Sequence, residues 1–390
     1  MSRSVSCPQV SPRSSVNVLL ATLAALLIAG CDKVDSIVND VKSDVVGTSE
    51  PTSPPAEAVA QPAAAGVSQT PEPQVPAPPN PELLVAEFLR LPTGSIGDVA
   101  LQKLVDVPEA AAQITELDLR GSETALSNAG LMLVAELPNL QSLNLAGRAA
   151  TAEAVAAIGG KTMLRELDLT GSALSPDVIS VLHTLSHLQN LNLDGTAGGD
   201  FAVRAVASLP LESLSLLDNP LSDAGLQEIG KIRTLKDLNV GRTRVTGAGF
   251  KALKNLDLVK LNASETMFGV EGLIHLRGMK SLEELHLSSA SVVEQPKAKV
   301  FTTMPNLRIL ILGGNQISGP GMHELFKGMK NLEELHLYRT KVNDYGLSAL
   351  VTCRNLKLVN VQETLCTIGG AQELKKRLPE CTIRFDGGSI

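Results

Sequence analysis

The apolar positions of this chain follow one short phrase over most of its length: apolar, two variable, apolar, one variable, apolar. Its first position falls at Ile114, Leu140, Leu164, Leu188, Leu211, Leu235, Leu258, Leu282, Leu307, Leu332 and Leu356, at spacings of 23 to 26 residues. Leu164-Arg165-Glu166-Leu167-Asp168-Leu169 and Leu332-Glu333-Glu334-Leu335-His336-Leu337 are clear copies. The closing alternation of apolar and variable residues predicts a short strand with one buried face. Leucines then recur every three to four residues, which predicts a helix. One such unit cannot bury its apolar face alone, so neighbouring copies must stack.

The slot three residues beyond the phrase is small and polar in nine of the eleven repeats: Ser122, Ser172, Thr196, Asn219, Thr243, Thr266, Asn315, Thr340 and Thr364. Such side chains can serve backbone groups of a tight turn that no sheet partner reaches. An apolar residue follows, such as Val245, Ile317 or Val342. Phrases such as Asp223-Ala224-Gly225-Leu226 and Asp344-Tyr345-Gly346-Leu347 then open the helix. Leu137, Leu185, Met279, Met304 and Met329 close the turn into the next strand.

This pattern resembles the leucine-rich-repeat family, in the short variant where Thr or Ser replaces the usual Asn and an Ala-Gly-Leu phrase opens the helix. The resemblance covers about residues 114–385. It implies an α/β fold: a right-handed solenoid, or horseshoe, with a parallel β-sheet on the concave face and helices on the convex face. Strand and helix spacings require the same curvature. Strands stack about 4.8 Å apart while helices need 8–10 Å, so the sheet lies inside the bend. The eleven repeats span 114–364, with an N-terminal cap at 81–113 and a C-terminal cap at 365–390. Two amphipathic runs, Leu83–Leu91 and Val99–Val105, supply the first cap. A helix over Leu374–Leu378 and a degenerate strand with Cys381, Ile383 and Phe385 supply the second.

Residues 1–30 read as an export signal. Arg3 and Arg13 precede an apolar run from Val16 to Ile28, which is shorter than the roughly 20 residues of a membrane span. The run ends in Ile28-Ala29-Gly30-Cys31, which resembles the bacterial lipobox. That resemblance implies cleavage before Cys31 and lipid attachment to its thiol, hence an exported chain anchored to a bacterial membrane in the cell envelope. Residues 31–80 read as a tether, in which prolines from Pro51 to Pro79 alternate with Ala, Ser, Thr, Gln and Glu, a composition that cannot bury a core. Such a tether reaches on the order of 100 Å when extended.

Charge narrows the partners. The chain carries a net charge of −7, no Trp, two Tyr and seven Phe. This argues against nucleic acid, which calls for basic surface and stacking rings. Residues 82–219 hold 7 basic against 17 acidic residues, and residues 220–390 hold 23 against 17. Halves of opposite sign could steer a partner, or associate head to tail as a structural envelope protein.

No catalytic constellation emerges. Gly159-Gly160-Lys161-Thr162 contains the end of a phosphate loop, but Val155 stands where its first glycine belongs, and the segment leads from helix to strand. His183 and His187 flank core leucines and should face solvent. Cys353, Cys366 and Cys381 occupy core positions, with a Cys366–Cys381 disulfide as an alternative in an oxidising compartment. The expectation is a non-enzymatic protein without metal or cofactor.

The central variable position of the strands is Asn or Asp in seven of eleven repeats. Repeats 8 to 11 break this pattern. Ile309 and Ile311 replace polar residues there, flanked by His286 and His336, with Tyr338 and Leu358 beside them. An apolar and aromatic cluster on a polar sheet is the candidate contact site for a protein partner. His286 and His336, two strands or about 10 Å apart, cannot share one metal ion.

Overall fold

The structure, a computed structural model, describes residues 79–121, 126–148, 151–160, 163–293, 300–326 and 328–390. All of these lie in one compact unit, Val75–Ile390. The signal segment, Cys31, nearly all of the tether, Ser122, Lys161 and Thr162 lie outside the described residues.

Each repeat contributes a three-residue strand whose middle side chain is buried, from Leu117 in the first to Val359 in the eleventh. Twelve strands, from Glu116–Asp118 to Thr382–Phe385, pair in parallel in chain order. A two-residue strand, Gly388–Ser389, returns antiparallel on the last of them. The register never slips, so every position of the phrase faces its own copy one repeat away, as in Leu238 against Leu261. The sheet is open, with helices on its other side, and the fold is a leucine-rich-repeat horseshoe. One continuous core runs from Val85 to Phe385.

The polar slot does what its chemistry allows. The hydroxyls of Thr196, Thr243, Thr266, Thr340 and Thr364 each donate to the carbonyl three residues back, at 2.6–2.8 Å. The two repeats without such a residue are compensated. Asn315 accepts from the backbone N–H groups of Ala290 and Val292, serving the repeat whose own slot is Ala290. Arg148, buried in the second repeat, donates to the Leu126 carbonyl at 2.8 Å.

One residue per repeat, just before this slot, has left-handed backbone. Gly121, Gly147, Gly171, Gly195 and Gly314 fill it at no steric cost, but Asp218, Arg242, Glu265, Ser289, Arg339 and Glu363 adopt it too. The charged members pair along the edge: Arg242 with Asp218 at 3.9 Å and Glu265 at 3.7 Å, and Arg339 with Glu363 at 2.8 Å.

The helix-opening phrase forms a clasp between neighbouring repeats. Asp223 accepts from the backbone N–H of Thr246 at 2.7 Å and from its hydroxyl at 2.6 Å. Asp98 holds Ser127, Asp200 holds Ser222 and Asp344 holds Thr367 in the same way. Gly249 belongs to this arrangement, because a Cβ there would lie 2.5 Å from the Asp223 carboxylate. The aspartate of one repeat therefore requires a glycine in the next.

The caps are larger than their sequence signals. Three helices, Pro81–Leu89, Asp98–Val105 and Pro108–Ala111, precede the first strand. The C-terminal helix runs over Ile368–Arg377, six residues earlier than Leu374, because the Thr367 hydroxyl accepts from the Gly370 N–H and caps it. Gly369 and Gly370 conceal that start in the sequence.

Candidate partner-binding face

Parallel pairing without slippage converts sequence positions into columns on the concave face. Glu284, Ile309, Glu334 and Leu358 are lateral neighbours in one column, and His286, Ile311, His336 and Asn360 in the next. The six residues singled out from sequence are therefore contiguous, and all are half-buried. Each histidine leans toward the glutamate two positions back on its own strand, His286 to Glu284 at 3.8 Å and His336 to Glu334 at 3.7 Å. Lys260 reaches the same Glu284 at 3.5 Å.

Burial, then the positive charge of Lys260, holds the His286 imidazole below its ordinary pKa, with Glu284 opposing. The ring is thus neutral at pH 7. Ile311 sits between a neutral imidazole and His336, so the patch gains apolar character at physiological pH.

A third column joins Tyr338 to Gly313 and Ser288, two residues that sequence reasoning missed. Tyr338 lies across the sheet over Gly313, where an added Cβ would come within 2.4 Å of the ring. The phenol oxygen reaches the Ser288 hydroxyl at 2.8 Å, two repeats away. The signal was present as a glycine one repeat before a tyrosine at the same position. The result is a half-buried ring held by its polar tip, on the same concave face as Ile309 and Ile311.

Other candidates do not converge. His183 and His187 are exposed, and His183 bonds the Ser180 carbonyl. Gly159 ends a helix, Ala152–Gly159, ahead of a strand. Cys353, Cys366 and Cys381 are free thiols, Cys366 only half-buried, and burial pushes all three up to about 11. At neutral pH they are poor nucleophiles. Among the described residues no cluster of three His, Cys, Asp or Glu side chains could hold a metal ion, and no helix is long and apolar enough to cross a membrane.

Known proteins reinforce the fold. The Leucine Rich repeat family model matches residues 303–326. An internalin of Listeria monocytogenes superposes with a TM-score of 0.51 at 18% identity, covering 78% of this chain and 94% of that one. TLR13, solved with ssRNA13, superposes at 0.52 with 20% identity, over 72% of this chain and 40% of that one. A Leptospira interrogans leucine-rich-repeat protein gives 0.46 at 21% identity, over 72% and 80%. No curated protein matches the chain. The chain thus has the leucine-rich-repeat solenoid fold.

Proposed function

We propose that this chain is an exported, membrane-anchored interaction module with no catalytic role of its own. In this reading Cys31 carries the lipid and the proline-rich segment sets the solenoid away from the membrane. The concave patch of repeats 8 to 11 captures a protein partner. The observation that carries the reading is Tyr338, seated over Gly313 and tethered to Ser288 on the same face as two isoleucines. An aromatic fixed before binding loses little side-chain entropy on contact, and rigid aromatic anchors dominate interface energies.

The test is crosslinked affinity capture from native membranes, comparing the chain with the double variant Ile311→Asp, Tyr338→Ser. Loss of two anchors should weaken capture by about 100-fold, at roughly 1–2 kcal/mol each, while the thermal midpoint stays near that of the parent. Equal capture by both chains would remove the concave patch from consideration.

A further inference from the structure

Part of the positive charge of the second half forms a row along one rim of the solenoid. In a parallel sheet every strand starts at the same edge. Two residues before the phrase, in the loop at that edge, stand Arg233, Lys280, Lys330 and Arg354 in repeats 6, 8, 10 and 11. The same slot holds Ala112, Pro138, Ser186 and Leu209 in repeats 1, 2, 4 and 5, and Leu256 and Pro305 in repeats 7 and 9. Lys254 lies in the last turn of the helix that leads to the strand of repeat 7, Arg277 caps the end of the helix that leads to repeat 8, and all six side chains are exposed.

These cations lack the partners that such groups have elsewhere in the molecule. Arg242 and Arg339, on the opposite rim, are held by carboxylates. Arg233 donates only to the Asn255 carbonyl, and the other five make no ion pair among the described residues. Nearby acids are already committed: Glu228 to Lys231, Glu283 and Glu333 to Arg308, and Glu373 to Lys376. Asp257 and Glu380 are the other carboxylates in these loops, too few to balance the row.

We infer that this rim docks on an anionic phospholipid surface through lipid phosphates. Loop ends of a regular stack share one rim, so a flat surface meets the whole row at once. The row rises about 5 Å per repeat on the sheet side and up to 10 Å on the helix side, which spreads the charges over several headgroups. No exposed aromatic lies in this row among the described residues, so nothing there stacks on bases. A second copy of the chain fits less well. Acidic side chains of the first half such as Asp118, Asp168 and Asp194 lie on the concave sheet, bonded to groups of their own or the next repeat. The inference is independent of what the concave patch binds.

The test is sedimentation of the full chain with vesicles of pure phosphatidylglycerol and of pure phosphatidylcholine, at low and high salt. The N-terminal segment, with Arg3 and Arg13, is present in every arm, so the difference between parent and rim variant isolates the rim. The rim variant is Arg233→Glu, Lys280→Glu, Lys330→Glu and Arg354→Glu. A control makes the same change in net charge at Arg90, Lys103, Arg165 and Arg204, also exposed. Circular dichroism melts confirm that both variants fold. The parent should prefer phosphatidylglycerol, with the preference fading in high salt. The rim variant should lose it by on the order of 100-fold while the control keeps most of it. Equal losses in both variants, no preference in the parent, or salt-sensitive self-association abolished by the rim changes would each overturn the inference. Binding of soluble polyphosphate without lipid preference would do the same.

Discussion

Tyr338 and Gly313 together show how one missing atom shapes a surface. The ring occupies the space that a Cβ at Gly313 would fill, and its hydroxyl then reaches Ser288. Gly313→Ala is expected to lift the ring and break that bond, at a cost of about 1 kcal/mol. The chain has two tyrosines and no tryptophan, and Tyr345 packs on His323 on the helical side, so near-ultraviolet dichroism in a Tyr345→Phe background reports on Tyr338. Most of that signal should vanish in Gly313→Ala; an unaltered band would show the ring is not held. Ile309, Ile311 and the two histidines were legible in the sequence because the phrase assigns each variable position to the concave face. The course of Tyr338 over two neighbouring repeats was not. It depends on a rotamer and on a neighbour's small size, and no periodicity encodes either.

Within the repeat, the clasp explains why the helix opens on Asp-x-Gly. The aspartate bonds forward to the capping residue of the following helix, and that helix's glycine leaves room for it. Asp223→Ala should cost about 2 kcal/mol through loss of two charge-assisted bonds to Thr246, one of them to a helix N-terminus. Asp223→Asn, which keeps an acceptor oxygen, should cost less. Urea unfolding of the three chains measures both, and equal midpoints would mean the clasp is incidental. The sequence displayed the full phrase at Asp223-Ala224-Gly225 and Asp344-Tyr345-Gly346 without revealing that its two conspicuous letters belong to contacts between different repeats. The start of the C-terminal helix is hidden for a related reason: Gly369 and Gly370 look like breakers in sequence, but the Thr367 hydroxyl caps them.

Across the whole molecule, ion pairs tie repeats together wherever a carboxylate meets cations from its neighbours. Glu333 is the clearest case. Hydrogen bonds from Arg308 and Lys357, one repeat to either side, bring its carboxyl down to about 2 from 4.5. Its ionised form is favoured in the folded state, so the stability it adds is complete above pH 4.5 and lost as pH falls through about 2. Glu333→Gln should therefore lower the urea midpoint at neutral pH, and its difference from the parent should shrink toward zero near pH 2. A difference that persists unchanged in acid would assign the effect to packing. Dividing the sequence into acidic and basic halves was correct arithmetic, but it hid the arrangement. Arg233 and Arg242, nine residues apart in sequence, fall on opposite rims, and only the register places Arg242 among carboxylates and Lys280 among none.

The last strand has a different consequence. A stack of identical strands is a template, since each one offers the next an unpaired row of donors and acceptors. Here Ile390 turns back to exchange both backbone bonds with Ile383, and Gly388–Ser389 runs against the direction of all the others. Reversing the polarity of the final strand shortens the open edge to two residues and presents the wrong pattern for another parallel copy. The solenoid thereby carries its own stop signal against fibre growth, written in chain direction instead of in charge.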